Sequence, residues 1–217
     1  MLVEHTNYQY YHLLEELLAS LTATVNANPW RNILEKLLEL PKEKTTDEVW
    51  WNLTKENDVQ KYETNFSIEY GDVNESKNGS SWLVIMLADE SWKEAHENKI
   101  INDVFFKEKE LINKLPGIKV ATLCYISNNT VVQHHVDGYE RFEDDAYFYT
   151  ILLNVHVPTS DSDKLALIIE DKQFGATSDS ILGFDAHYQH GAKNFSGNDW
   201  VFLSLRIQRK YFENNIK

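Results

Sequence analysis

Leu13, Leu14, Leu17, Leu18 and Leu21 recur at the three- and four-residue spacing that stacks side chains on one helix face. They predict an amphipathic helix that starts after a cap at Thr6. A second helix is predicted to open at Asn28-Pro29, a capping residue followed by a proline suited to the first turn. It carries Ile33, Leu34, Leu37 and Leu38 and should stop before Pro41. From about Asn65 the period changes. NFSIEY and SSWLVIMLAD read as strands, and NDVFFKEKELINKLPG reads as a short helix closed by Pro116-Gly117. Then come KVATLCYIS, TVVQHHVD, YFYTILLNVHV, KLALIIED, SILGFDAH and WVFLSLRIQRKYF, rich in β-branched and aromatic residues. NN, DG, SDSD, FGATS and SGND separate them, which is turn chemistry.

Helices followed by many short strands predict a mainly β chain. The expected architecture is a double-stranded β-helix, a jelly roll of the cupin-like kind, with the N-terminal helices packed on it. No linker-like stretch divides the two parts. A single domain over 1–217 is expected, with a helical part at 1–60 and a jelly-roll core at 65–213.

Composition narrows the function. The chain is 42% hydrophobic and 25% charged, ordinary for a globular protein, and its net charge is −13. Phosphate backbones and anionic membranes both need clustered Lys and Arg, so neither nucleic acid nor membrane is an expected partner. A neutral, amphoteric or cationic small molecule or peptide fits better. The N-terminus shows neither a basic stretch nor a long apolar run, and the lone Cys124 gives no internal disulfide. A cytoplasmic protein is expected. Oligomeric state is not legible.

The chemistry gathers in QHHVDG, Gln133–Gly138. Side chains alternate along a strand, so His135 and Asp137 share a face while His134 points away. One imidazole and one carboxylate on one face are two metal ligands, and a third must come from elsewhere. GFDAHYQHGAKN offers His187 and His190, between a strand-like SILGF and the long WVFLSLRI run. Two histidines and a carboxylate on a jelly roll form the arrangement of non-haem iron oxygenases. Three protein ligands then leave positions open for a bidentate co-substrate and O2.

LINKLPGIKVATLCYISNNTVVQHHVD, then NVHVP, then SILGFDAHYQHGAKN resemble the aspartyl/asparaginyl β-hydroxylase family of Fe(II)/2-oxoglutarate-dependent dioxygenases. The likeness runs from Trp92 to about Phe202. It implies a metal set of His135, Asp137 and His190, favouring His190 over His187, and it implies Fe(II) and 2-oxoglutarate as cofactors. Asp185 is then a turn residue rather than a ligand. The implied reaction couples decarboxylation of 2-oxoglutarate to succinate with hydroxylation of an unactivated C–H bond. An amino-acid-like small molecule or a peptide residue is the implied substrate.

The departures concern the co-substrate. The family carries an arginine ten residues after the distal histidine, gripping the far carboxylate of 2-oxoglutarate; here that position is Trp200. Basic residues usual on the strand after the first motif are replaced by Phe148 and Thr150. Arg206, on the same strand face as Trp200, is the expected replacement, with Tyr149 or Thr150 supplying a hydroxyl. Tyr147, Lys193 and Arg141 are further candidates. Two other readings stand beside the dioxygenase: a cupin-like metalloenzyme that uses no 2-oxoacid, and a non-catalytic jelly-roll binding protein.

Overall fold

A computed structural model of the chain describes residues 3–39, 99–136 and 148–215, with strand segments 43–45, 48–50, 53–55, 58–62, 66–69 and 82–89 between them. The N-terminal elements are α1 (Val3–Asn26), α2 (Asn28–Glu39), β1 (Glu43–Thr45), β2 (Glu48–Trp50), β3 (Leu53–Lys55), β4 (Asp58–Tyr62), β5 (Phe66–Glu69) and β6 (Trp82–Asp89). After them come α3 (Lys99–Val104), α4 (Phe106–Lys114), β7 (Ile118–Ile126), β8 (Thr130–His135) and β9 (Phe148–His156). The chain continues with β10 (Leu165–Ile169), β11 (Lys172–Phe174), β12 (Ile181–Asp185), β13 (His190–Asn194), β14 (Trp200–Gln208) and α5 (Arg209–Asn215).

The leucine face of α1 is buried at Leu14, Leu17, Leu18 and Leu21. That helix begins at Val3, so Thr6 lies inside it instead of capping it. α2 opens at Asn28, as Asn-Pro predicts, while Pro41 lies outside the described residues. The helical part ends at Glu39 and does not reach residue 60, because β1 to β4 occupy the segment from Glu43 to Tyr62. Thr, Val, Trp and Tyr recur there, and such residues favour strands over helices. The predicted helix before Pro116 is two helices that meet at Phe105, a buried ring edge-on to Trp30 with centroids 4.8 Å apart. At the other end WVFLSLRIQRKYF divides. β14 stops at Gln208 and α5 follows, so the jelly-roll strands end before residue 213. α5 returns Phe212 to the sheet, where it stacks on Tyr149 at 4.1 Å. Gly183 makes room for it, since a Cβ there would meet the Phe212 ring at 2.9 Å.

Two antiparallel sheets carry all the strands but β3 and β4, which pair with each other: the larger in the order β1-β2-β5-β6-β7-β14-β9-β12, the smaller β11-β10-β13-β8. From β7 onward the chain alternates between them, with β7, β9, β12 and β14 in the larger and β8, β10, β11 and β13 in the smaller. That winding is a double-stranded β-helix, so the fold is the cupin-like jelly roll with helices.

Strand alternation gives the larger sheet two different faces. Ala121, Leu123, Leu203 and Leu205 pack against Leu14, Leu17, Leu21 and Trp30 of the helices. Trp30 Nε1 donates to the Tyr125 hydroxyl at 2.6 Å, and burial pushes that phenol well above its ordinary pKa, keeping it neutral. Ser20 and Thr24 donate to Glu108 Oε1 at 2.6 and 2.8 Å, fastening α1 to α4. The opposite face looks into the jelly roll. There Cys124, Ile126, Trp200 and Phe202 meet Leu165, Leu167 and Ala192 of the smaller sheet.

Candidate metal centre

His190 and His135 are direct cross-strand partners on β13 and β8. Two steps along β13, from His190 to Ala192, answer three steps along β8, from His135 to Val132. The extra residue is a β-bulge, which re-aims whatever follows it. Strict alternation would set His135 on the opposite face from Val132. With the bulge both look inward, and the two imidazoles come together with ring centroids 4.4 Å apart.

His190 is only 6% exposed, and its Nδ1 lies 3.0 Å from the Tyr188 carbonyl. A carbonyl can only accept, so Nδ1 carries the proton and the lone pair sits on Nε2. Fixing a ligand's tautomer through its other nitrogen is how metal-binding histidines are oriented. The Phe184 ring meets His190 edge-on at 5.0 Å and walls the site on the side of the larger sheet. The structure thus brings His135 and His190 together. Asp137 lies outside the described residues, as do Arg141 and Tyr147. Among the described residues no His, Cys, Asp or Glu trio gathers. Two imidazoles, one with its tautomer set, suit a first-row divalent ion.

The other histidines do other things. His134 and His156 are exposed. His187 Nδ1 sits 2.8 Å from Asp185 Oδ1, which also accepts the His187 backbone N–H at 3.0 Å. That is an Asx turn, and it makes Asp185 a turn residue.

Across from the imidazoles the larger sheet presents a row of cross-strand neighbours, Phe184–Thr150–Arg206–Val120 on β12, β9, β14 and β7. Residues opposite one another in antiparallel strands share a face, and Phe184 belongs to the interior cluster. Thr150 and Arg206 therefore look inward at the histidine end. Thr150 is 3% exposed, and its hydroxyl has no hydrogen-bond partner among the described residues. A buried hydroxyl left so costs about 1–3 kcal/mol.

Arg206 is reached by the path of the chain. β13 runs away from the imidazoles from His190 to Asn194, and β14 returns from Trp200. Six residues of strand recover roughly 20 Å, which brings Arg206 level with Thr150 and Phe184. Trp200 remains at the far end, opposite Ile126. The expected co-substrate role of Tyr149 needs correcting. It stacks on Phe212 on the helix-covered face, because adjacent strand residues point to opposite sides of a sheet. Lys193 also points elsewhere, donating to Gln173 Oε1 at 2.8 Å on the exposed side of the smaller sheet.

Sequence reasoning missed the Tyr188 carbonyl, a backbone group that no residue pattern announces. It also gave no role to the Phe184 ring or to Asn194. Asn194 is fully buried, with its amide donating to the carbonyls of Ile126 and Asn198, each at 2.8 Å.

The family model for aspartyl/asparaginyl beta-hydroxylase matches residues 29–210. The chain belongs to this family. It is a family of hydroxylases, an oxygenase type of enzyme. No curated protein sequence matches the chain. Among solved structures, KdgF from Halomonas sp. is similar at 12% identity and TM-score 0.36, over 59% of this chain and 79% of that one. A protein described as a predicted oxalate decarboxylase from Thermotoga maritima is similar at 10% identity and TM-score 0.37, over 67% and 94%. A Klebsiella pneumoniae protein with a double-stranded beta-helix domain is similar at 11% identity and TM-score 0.32, over 41% and 66%. These likenesses are distant, and the strand order above is what defines the jelly roll. No described helix is long and apolar enough to cross a membrane.

Proposed function

We propose that this β-hydroxylase family member is an Fe(II)/2-oxoglutarate-dependent dioxygenase that hydroxylates an unactivated C–H bond of an amino-acid-like small molecule or a peptide residue. The observation that carries the reading is the cross-strand imidazole pair, His135 and His190, with the lone pair of His190 set on Nε2 by the Tyr188 carbonyl. His135, Asp137 and His190 would hold the iron. When bound, the iron supplies the activation of O2 that no amino-acid side chain can provide.

The chain's own residues supply binding and exclusion. Phe184 packs edge-on against His190 and fixes its plane. Leu165, Leu167 and Phe202 fill the interior and keep bulk water from the reaction. Arg206 offers a planar pair of donors suited to the far carboxylate of 2-oxoglutarate. The acidic chain, at −13, favours encounter with a neutral, amphoteric or cationic substrate.

Anaerobic addition of Fe(II) and then 2-oxoglutarate should give the weak visible charge-transfer band of a chelated 2-oxoacid. Succinate should follow on admitting air with an amino-acid and peptide panel, and His190→Ala should lose the band. A wild-type protein giving neither band nor succinate would sink the proposal. The second reading, a cupin-like metalloenzyme without a 2-oxoacid, is favoured by one observation: the family's arginine position is Trp200, at the far end of the interior. Iron binding without any response to 2-oxoglutarate would select it.

A further inference from the structure

DAHYQH holds two histidines, and only His190 meets His135. The passage from Asp185 to His190 crosses from the larger sheet to the smaller. Asp185 ends β12 opposite Tyr149, so it shares the helix-covered face of the sheet, with Phe184 on the interior side. Its Oδ1 accepts the His187 backbone N–H at 3.0 Å and lies 2.8 Å from His187 Nδ1. A carboxylate only accepts, so His187 carries a proton on that nitrogen. The ring is thereby drawn to the side of the sheet away from the imidazole pair. The same turn is closed by the Tyr188 N–H, which donates to the Asp185 carbonyl at 3.2 Å. Its far side aims the Tyr188 carbonyl at His190 Nδ1, 3.0 Å away. The Gln189 carbonyl accepts the Glu170 N–H at 2.7 Å, which ties the residue before His190 to the smaller sheet.

We infer that Asp185 is a positioning residue that decides which histidine of DAHYQH joins His135. Its carboxylate holds His187 back, and the turn it builds sets the His190 lone pair on Nε2 through the Tyr188 carbonyl. The inference rests on the metal reading above and adds a residue outside the donor set. A neutral imidazole can carry its proton on either nitrogen, and a fixed acceptor at Nδ1 is what leaves Nε2 for a ligand. The Tyr188 carbonyl is that acceptor only while the turn keeps it within hydrogen-bond reach. Aspartate has the length to bond the backbone two residues on, which is why this side chain rather than glutamate builds the turn. Without it, His190 would regain both tautomers and His187 would be released to compete.

The test uses the full chain with isotope-labelled histidine rings, at mildly alkaline pH where free imidazoles are neutral. Nitrogen NMR of the metal-free chain reads each ring's tautomer, with the His190 signal identified by its absence from His190→Ala. Calorimetry with Mn(II) reads the metal site. Wild-type His190 should be a single Nδ1–H tautomer, and a mixture there overturns the inference. Asp185→Ala should turn that signal into a mixture and weaken Mn(II) about tenfold, as loss of a ligand's orienting partner does. Asp185→Asn keeps an oxygen for the His187 N–H, so it should retain the single tautomer and stay within about threefold of wild type in Mn(II). His187→Ala leaves the backbone N–H of residue 187 on Asp185 and should bind Mn(II) as wild type does. Because alanine can loosen the fold, Asp185→Glu serves as a second variant. It keeps the charge, moves the carboxylate out by one methylene, and should show both losses. Folded Asp185→Ala or Asp185→Glu protein that keeps the single His190 tautomer overturns the inference, even where Mn(II) binding falls. So does Asp185→Asn as impaired as Asp185→Ala, which would assign the effect to charge instead of the turn. Loss of Mn(II) in His187→Ala makes that residue a ligand and overturns it as well. If wild-type protein takes no Mn(II), the metal reading fails, and the tautomer of the metal-free variants still decides whether Asp185 positions His190.

Discussion

The two ends of the jelly-roll interior handle polar groups in opposite ways. At the end where β14 begins, Trp200 is fully buried and donates through Nε1 to Asn154 Oδ1 at 2.9 Å. The Asn154 amide in turn donates to Ser180 Oγ at 3.1 Å. Asn194 there uses both amide hydrogens, and its Oδ1 accepts from the backbone and hydroxyl of Ser196 at 3.1 and 2.6 Å. At the other end His135 and His190 converge and the Thr150 hydroxyl is left without a partner among the described residues. The first end satisfies its own polar groups; the second brings two imidazoles together beside an unsatisfied hydroxyl.

The largest test of that contrast puts the family's arginine back where the motif expects it. Trp200→Arg would bury an unpaired charge among Ile126, Phe202 and Leu165 and strip Asn154 of its donor. A loss of at least ~4 kcal/mol of stability is expected, with no gain in 2-oxoglutarate affinity. A stable Trp200→Arg protein that binds 2-oxoglutarate more tightly would show that the ends have been assigned the wrong way round. Next in size is Asn194→Ala, which removes a buried side chain and leaves two carbonyls and two donors without their partner at the turn before β14. It should cost about 3 kcal/mol in denaturant unfolding while iron binding per folded molecule is kept. Loss of iron affinity in folded Asn194→Ala would tie that end to the metal after all.

These two variants also show where the sequence was legible. The jelly roll could be read because each strand carries its own period and its own turn signals. His135 and His190 could be read because the chemistry of a metal set constrains residue type. The bulge that makes His135 face inward could not be, since QHH carries no mark of an extra residue in the pairing. Nor could α5, whose Tyr211 and Phe212 look like a continuing strand until packing against Gly183 decides otherwise. Counting residues from His190 to an arginine presumes a fixed path. Here the path runs out along β13 and back along β14, so only strand pairing shows that residue 206, not 200, is level with the imidazoles.

A smaller effect is expected at Arg206. Lysine keeps the charge but loses the planar paired donors, so Arg206→Lys should weaken 2-oxoglutarate roughly tenfold, or ~1.4 kcal/mol, with Fe(II) binding intact. Unchanged affinity would move the carboxylate grip away from this strand.

The smallest effect should come from Tyr149, one residue from Thr150 and on the other side of the sheet. Its ring lies parallel to Phe212, 4.1 Å away and tilted by 1°, within the layer between sheet and helices. Phenylalanine keeps that stack and removes only the hydroxyl, so Tyr149→Phe should change stability by less than ~0.5 kcal/mol. Because no strand residue can serve both faces of its sheet, 2-oxoglutarate affinity should be that of wild type. Set beside Thr150→Val in the same titration, the pair isolates face from position. Both substitutions remove one hydroxyl from neighbouring residues, and only the inward one should register. A tenfold loss at Tyr149 would mean that the ligand is held from the helix side, which would undo the division of the sheet into a structural face and a binding face.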